Sequence, residues 1–301
     1  MDVVHAGRMP WGESLVPQRA GGEVAHKRLF EGEEGTPDNY MLVMSKEPKS
    51  FLSPRHRHPW DQIRFCLEGK IPIAKGLHVE GGEIAYFPES VRYGPQEGGE
   101  DRSVVLLQFG GASGQGFIGP DRVKQARLNL AREGRFEGGI YFRDAAEGRR
   151  NWDAYEAIWL HVMGGSLSYA PPAYKTPIVM RPQAMPWLAS AEEGVCTKPI
   201  GVFPHRGLSM SAWRIESGAR HALPAVPALR FLFVTDGDGA CGEQPLSKWS
   251  AARLQPGEGA ALEATSRLEV TELAIRPVGD LRRSVAGLPS PCFGKQGNLP
   301  P

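Results

Sequence analysis

The chain has 301 residues, more than one hydrophobic core usually organises, so two domains or one duplicated domain is the expectation. Its 35 Lys and Arg nearly balance 34 Asp and Glu, which excludes a nucleic-acid or membrane-surface partner held by net charge and leaves a small-molecule ligand open. Four scattered cysteines without a C-x-x-C pair, no apolar leader at Met1 and no apolar run near the roughly 18 residues of a membrane span predict a reduced, soluble, cytoplasmic chain.

Residues 1–38 are rich in Gly, Pro and charge and read as an arm packed across a neighbouring barrel or subunit. Short strand signals follow at Asn39–Met44, Gln62–Leu67, Ile71–Lys75, Glu83–Pro88 and Ser103–Phe109, each bounded by turn residues. Such spacing favours an antiparallel barrel or sandwich over alternating strands and helices. This unit spans residues 39–117 and closes at the glycine run Gly110–Gly116.

Residues 118–199 read as a helical and Pro-rich linker. One helix is expected from Gly119-Pro-Asp121 to Gly134, carrying Val123, Ala126, Leu128 and Leu130. A second is expected from an Asn151 cap to Gly164, with Trp152, Tyr155, Trp159 and Val162 at spacings of three and four. Residues 168–190 read as an extended crossing. Strand signals return over 200–280, at Leu208–Glu216, Leu229–Thr235, Ala252–Leu254 and Leu268–Ile275, with turns at Gly237-Asp-Gly239 and Pro256–Gly259. Their order repeats that of the first half. Residues 281–301 form an extended tail without pattern.

The chemistry concentrates in Ser53-Pro-Arg-His-Arg-His-Pro-Trp-Asp-Gln-Ile-Arg-Phe-Cys-Leu-Glu-Gly69. In an extended chain residues i and i+2 share a face, so His56 and His58 can converge on one metal ion. A second segment, Gly82-Glu-Ile-Ala-Tyr-Phe-Pro88, follows.

Together these segments resemble the paired motifs of a cupin barrel, and the two halves resemble a bicupin. The resemblance implies an all-β fold, two cupin (double-stranded β-helix, jelly-roll) barrels in tandem with a few linker helices. Gln62 stands where the first motif usually has glutamate, and Tyr93 where the second has histidine. Within the cupins, His56-Arg-His58 with Arg64-Phe…Glu68-Gly69 is locally similar to the gentisate-type ring-cleaving dioxygenases, which also lack that glutamate. In the second half His221 stands alone, with Leu223 at the next ligand position, which implies a degenerate, structural barrel.

The resemblance implies a metal site of His56, His58, Gln62 and Tyr93 that holds one divalent transition metal, iron first, with manganese, nickel, copper or zinc as alternatives. His78 is a more distant donor. Alternation along the strand turns Gln62, Arg64, Cys66 and Glu68 inward and Ile63, Phe65 and Leu67 outward. Arg64 is then an anchor for a substrate carboxylate, or is paired internally with Glu68. Gln108 and Cys66 are further substrate contacts, although Cys66 also reads as a small buried hydrophobe. Arg64 and Tyr93 are the candidate catalytic groups. His5, His26, His161 and His205 read as structural.

The expected function is a metal-dependent oxygenase, working as a homodimer on a small aromatic or enolic, carboxylated substrate. A lyase, isomerase or hydrolase using Tyr93 as acid and base, and a non-catalytic binding cupin, are the alternatives.

Overall fold

The computed structural model describes residues 1–15, 24–34, 36, 38–97, 100–144 and 148–279; the tail expected over 281–301 lies outside the described residues. The first half comprises β1 (Asp2–His5), β2 (Ala25–Glu31), β3 (Tyr40–Glu47), β4 (Trp60–Glu68), β5 (Lys70–Ala74), β6 (Leu77–Glu80), β7 (Ile84–Phe87) and β8 (Arg102–Gly110). A middle region holds α1 (Pro120–Leu130), the short strands β9 (Gly134–Glu137), β10 (Ile140–Arg143) and β11 (Asn151–Asp153), and α2 (Ala154–Met163). Two short strands, β12 (Ile178–Met180) and β13 (Leu188–Ala189), lead into β14 (Val195–Phe203), β15 (Leu208–Ile215), β16 (Arg220–Leu223) and β17 (Leu229–Asp236). The second half ends with β18 (Gly239–Cys241), β19 (Gln244–Leu246), β20 (Ser250–Leu254), β21 (Ala260–Ala264) and β22 (Leu268–Ile275).

Two large antiparallel sheets result, in the orders β12-β7-β4-β8-β3-β2 and β1-β20-β17-β22-β15-β14-β13. The run β7-β4-β8-β3-β2 matches β20-β17-β22-β15-β14 strand for strand. Each sheet also takes an edge strand from a distant part of the chain. β12 pairs with β7, and β1 pairs with β20 through Asp2↔Arg253 to His5↔Ser250. The segment that reads as an arm therefore supplies strands to both sheets, β1 to the second and β2 to the first.

Alternation along each strand separates two environments. Tyr40, Leu42 and Met44, Ile63, Ile84 and Tyr86, and Val105, Leu107 and Phe109 face outward from the first barrel. They meet Phe203, Leu208, Met210, Phe231, Phe233, Leu273 and Ile275 of the second barrel in one buried core. Tyr86 lies 4.4 Å from Phe203 and Tyr40 5.0 Å from Phe231, ring centroid to ring centroid. Truncating one such aromatic to alanine costs about 3–5 kcal/mol, so this seam holds the halves in one fixed relation.

One polar chain crosses the seam. His205 Nε2 lies 2.9 Å from Tyr86 Oη, which donates at 2.6 Å to the fully buried Asp61. Burial pushes the Asp61 carboxyl up to about 7.

The inward faces line the barrel interiors. In the first barrel the hairpin β5–β6 closes one end with Ile71, Ile73 and Val79. The other end is covered by α1 and α2, whose Val123, Ala126, Leu130, Tyr155 and Ile158 pack on Met41, Val43 and Trp60. α1 starts at Pro120, whose missing N–H costs nothing in the first turn, and ends at Leu130, short of Gly134, because the chain turns there into the β9–β10 hairpin. The cap of α2 is Asp153, not Asn151. Its carboxylate accepts from Tyr155 N at 2.8 Å and Glu156 N at 3.3 Å, while Asn151 lies in β11. Gly164, at φ +69°, closes the helix in the left-handed conformation that glycine adopts without strain.

Among the described residues no helix is long and apolar enough to cross a membrane.

Candidate metal centre

The segment before β4 is held against the segment after β7 by two antiparallel bridges, His56↔Tyr93 and Ser53↔Gln96. His56 N donates to Tyr93 O and Tyr93 N to His56 O, both at 3.0 Å, so the imidazole and the phenol stand side by side. His58, two residues on, turns to the same side. The three polar atoms meet at one point: His56 Nε2 is 3.1 Å from His58 Nε2 and 3.0 Å from Tyr93 Oη, and His58 Nε2 is 2.7 Å from Tyr93 Oη.

The tautomer of His56 follows from its other nitrogen. Nδ1 lies 2.6 Å from the Pro54 carbonyl, which can only accept, so a neutral ring carries its proton there and directs the Nε2 lone pair at the cluster. At most two protons, on Tyr93 Oη and His58 Nε2, then serve three mutual contacts. One contact is left without a proton of its own, and a cation at the centre would hold all three atoms together. Donors about 2.1 Å from a metal ion at angles of about 90–110° lie about 3.0–3.4 Å apart, close to the separations here.

Arg64, inward on β4, donates from Nη2 to Tyr93 Oη at 2.8 Å and to Gln62 Oε1 at 3.0 Å. Gln62 Nε2 donates to Gln108 Oε1 at 3.1 Å. Both ends of the Gln62 carboxamide are thus engaged, its oxygen with Arg64 and, at 3.4 Å, with Tyr93 Oη. Gln62 therefore orients Arg64 and Tyr93, and the convergent donor set is His56, His58 and Tyr93. Arg64 is buried against the Phe87 and Tyr93 rings, and Nε has no acceptor. Among the described residues no carboxylate lies within ion-pair distance of it.

Glu68 does not pair with Arg64. A β-bulge between Cys66 and Glu68 breaks the alternation, and Glu68 turns outward to accept from Ser103 Oγ at 3.4 Å. Cys66 faces inward but does not reach the cavity. It is fully buried beneath Ile71, Ile73 and Val79, its Sγ directed at the Glu68 and Gly69 carbonyls. Burial pushes the thiol up to about 12, which removes it as a nucleophile or substrate contact. His78 is exposed on β6, so it is not a third donor.

A cavity of about 90 Å³ borders His56, His58, Gln62, Arg64 and Gln108. Three further residues also line it: His26, which the sequence reads as structural, and Gln96 and Glu47, which sequence reasoning left out. His26, on β2, accepts from Leu15 N at 3.1 Å through Nδ1, and burial pushes its pKa down to about 4, so the ring is neutral with its proton on Nε2. Gln96 is buried with its Nε2 lacking an acceptor. Glu47 is ion-paired to Arg102 at 2.7 Å. The Ser53↔Gln96 bridge follows from the same pairing that places Tyr93, and the motif Tyr93-Gly-Pro-Gln96 was the available signal. Apolar walls come from Met41, Val43, Trp60, Leu106, Ile118 and Tyr155.

Among the described residues no group of three His, Cys, Asp or Glu side chains could hold a metal ion, so any third protein donor comes from the phenol or a carboxamide.

No family model matches the chain, and no curated protein matches it. Solved structures do. A Nostoc punctiforme protein provisionally described as a dioxygenase aligns with a TM-score of 0.58 at 11% identity over 91% of this chain and 82% of its own. Streptomyces albus HEPD, determined with 2-hydroxyethylphosphonate and Fe(II), aligns with a TM-score of 0.59 at 11% identity over 97% of this chain and 80% of its own. Bacillus subtilis oxalate decarboxylase, studied for its Mn(II) centres, aligns with a TM-score of 0.53 at 13% identity over 91% and 77%. At these identities the likeness shows the fold. The chain has the all-β architecture of two cupin jelly-roll barrels in tandem.

Proposed function

We propose that the first barrel is a metal-dependent enzyme site that holds one divalent transition-metal ion on His56, His58 and Tyr93. The observation that carries this is the meeting of His56 Nε2, His58 Nε2 and Tyr93 Oη within 2.7–3.1 Å of one another. Iron is the first choice and manganese the second; the similarly folded HEPD and oxalate decarboxylase contain Fe(II) and Mn(II) respectively. When bound, the ion supplies Lewis acidity and open positions for a substrate and a co-reactant such as oxygen.

The chain's own residues do the rest. Arg64 Nη2 stands 2.8 Å from Tyr93 Oη, so a phenolate there would be shared by two cations and would relieve their repulsion. Gln62, fixed by Gln108, holds Arg64 in that place. Gln96 Nε2 and Arg64 Nε have no acceptor within the protein, which suits a substrate with an acceptor-rich acidic group. The apolar wall under α1 and α2 suits a small planar or aliphatic body and excludes bulk water. An oxygenase acting on a small aromatic or enolic acid is the reaction class this arrangement supports best.

The Tyr93 contacts favour one other reading. An oxygen that accepts from Arg64 and touches both imidazoles can relay a proton between substrate and imidazole, as a lyase or isomerase requires. Oxygen uptake during turnover separates the two.

Anaerobic reconstitution with Fe(II) or Mn(II), desalting and elemental analysis test the site. About one equivalent is expected, falling below about one-tenth in His56→Ala/His58→Ala. Wild-type protein that holds less than about one-tenth equivalent removes the basis of the proposal.

A further inference from the structure

The second barrel carries a larger hollow than the first, about 420 Å³ against about 90 Å³. The size falls within the roughly 300–1,000 Å³ range of small-molecule sites.

Register relates the two interiors. Both central strands carry a bulge near their end, between Cys66 and Glu68 in β4 and between Val234 and Asp236 in β17. Counting back from the bulge puts Arg230 at the place of Gln62 and Leu232 at the place of Arg64. Across the other sheet His221↔Leu262 pairs as His56↔Tyr93 does. The second barrel thus offers His221, Leu223, Arg230 and Leu262 where the first has His56, His58, Gln62 and Tyr93.

The replacement is not an apolar plug. Arg230 is 3% exposed and borders the hollow together with Ser209, Trp213, His221 and Glu272. Nη2 donates to Glu258 O at 2.9 Å, Nη1 is ion-paired with Glu272 at 3.6 Å without a hydrogen bond, and Nε has no acceptor. A buried guanidinium with unused donors is costly unless a ligand supplies acceptors. Glu272 is turned to Trp213, whose indole N–H donates to it at 2.8 Å.

His221 is spoken for as well. It stacks on Trp213 with centroids 3.9 Å apart and pairs with Glu192, which also accepts from Ala222 N. Burial works against the Glu192 carboxylate, but Ala222 N–H and His221 outweigh it and hold it below its ordinary range. Arg276, at the exposed rim, adds a second cation, so with Glu272 the lining carries a net positive charge apart from the His221–Glu192 pair. Leu223, Pro224, Val226, Pro227 and Ala228 make the remaining wall apolar.

We infer that this hollow is a binding site for a small organic carboxylate with an apolar body, its carboxylate on Arg230. The site is independent of the metal centre and needs none of its residues.

Benzoate serves as the probe and benzamide as its uncharged counterpart, with calorimetry on the full chain. Benzoate is expected to bind at about one per chain, unchanged in His56→Ala/His58→Ala and weakened at least about tenfold in Arg230→Gln, the loss of one charge-assisted hydrogen bond or more. Benzamide should bind at least about tenfold more weakly than benzoate. Because Arg230→Gln alters a buried position, Ser209→Leu, which fills the hollow and leaves the guanidinium in place, should weaken binding by a similar factor. No saturable binding of benzoate overturns the inference, as does binding that survives both Arg230→Gln and Ser209→Leu, or that is lost in the histidine double variant.

Discussion

Tyr93→Phe separates the roles of the phenol most cleanly, because the ring stays and only the hydroxyl goes. The ring is 2% exposed and packs 4.6 Å from Phe87, so no cavity opens. Lost are contacts of 2.8 Å from Arg64, 3.0 Å to His56, 2.7 Å to His58 and 3.4 Å to Gln62. The Arg64 bond involves a charge and is worth about 1.5–3 kcal/mol, and a neutral imidazole contact adds about 1, so about 2–4 kcal/mol of stability should disappear. Urea unfolding with excess chelator reads that loss free of metal linkage. Metal titration of the folded variant reads the second role: affinity for Fe(II) or Mn(II) should fall at least about 10–100-fold, since even supporting contacts to ligands are worth that much. A loss of stability with unchanged metal affinity would reduce Tyr93 to a structural hydrogen-bonding group. A variant within about 0.5 kcal/mol of wild type would refute the energetic argument as well.

Gln62→Glu restores a carboxylate at the position usual for cupins and should raise divalent-metal affinity at least about tenfold, as Gln108 turns its amide to donate to the new oxygen; a competitive chelator titration showing no gain would count against the site. His26 is neutral in the folded chain down to about 4, whereas an unfolded imidazole takes its proton near 6.5, so its contribution is present above that range and lost as pH falls through it. Wild type should therefore lose about 2.5 kcal/mol more than His26→Gln between about pH 7.5 and 4.5, measured by urea unfolding; parallel losses would show that the ring is not held neutral.

The parts of this molecule that were legible in the sequence are those set by local periodicity. The strand signals at β4, β8, β17 and β22 fall close to the observed bounds because period-two alternation and flanking turns act within a few residues. The pairing of His56 and His58 was legible for the same reason. β2 was not, since His26 and Lys27 are buried there at 6% and 5% exposure and break the apolar pattern. Lys27 is satisfied by Ala6 O at 2.6 Å and the Trp11 ring at 4.4 Å, partners that no local rule reveals. Nor does any local signal join Asp2 to Arg253. Alternation correctly turned Cys66 inward, yet it carries no depth: the interior is divided between the hairpin end, where Cys66 lies, and the helix-covered end, where the histidines lie. Glu68 escaped because a bulge resets the alternation one residue beyond Cys66.

The comparison of the two interiors leads to a count. A divalent ion about 4 Å from a guanidinium meets a repulsion of about 8 kcal/mol at an effective dielectric of about 20, and Arg230 stands at a ligand position, not beside one. In the first barrel Arg64 is one alternation step further along the strand and donates to Tyr93 Oη, the oxygen that the imidazoles also contact. The second barrel has Leu262, and so no phenol oxygen, at that place. Saturating Fe(II) or Mn(II) should therefore load about one ion per chain and not two, with His221→Ala leaving the count unchanged and His56→Ala/His58→Ala abolishing it. About two ions per chain, or a count that falls with His221→Ala, would mean that Arg230 swings out of the barrel to admit a cation, and the assignment of that hollow to an organic anion would fall with it.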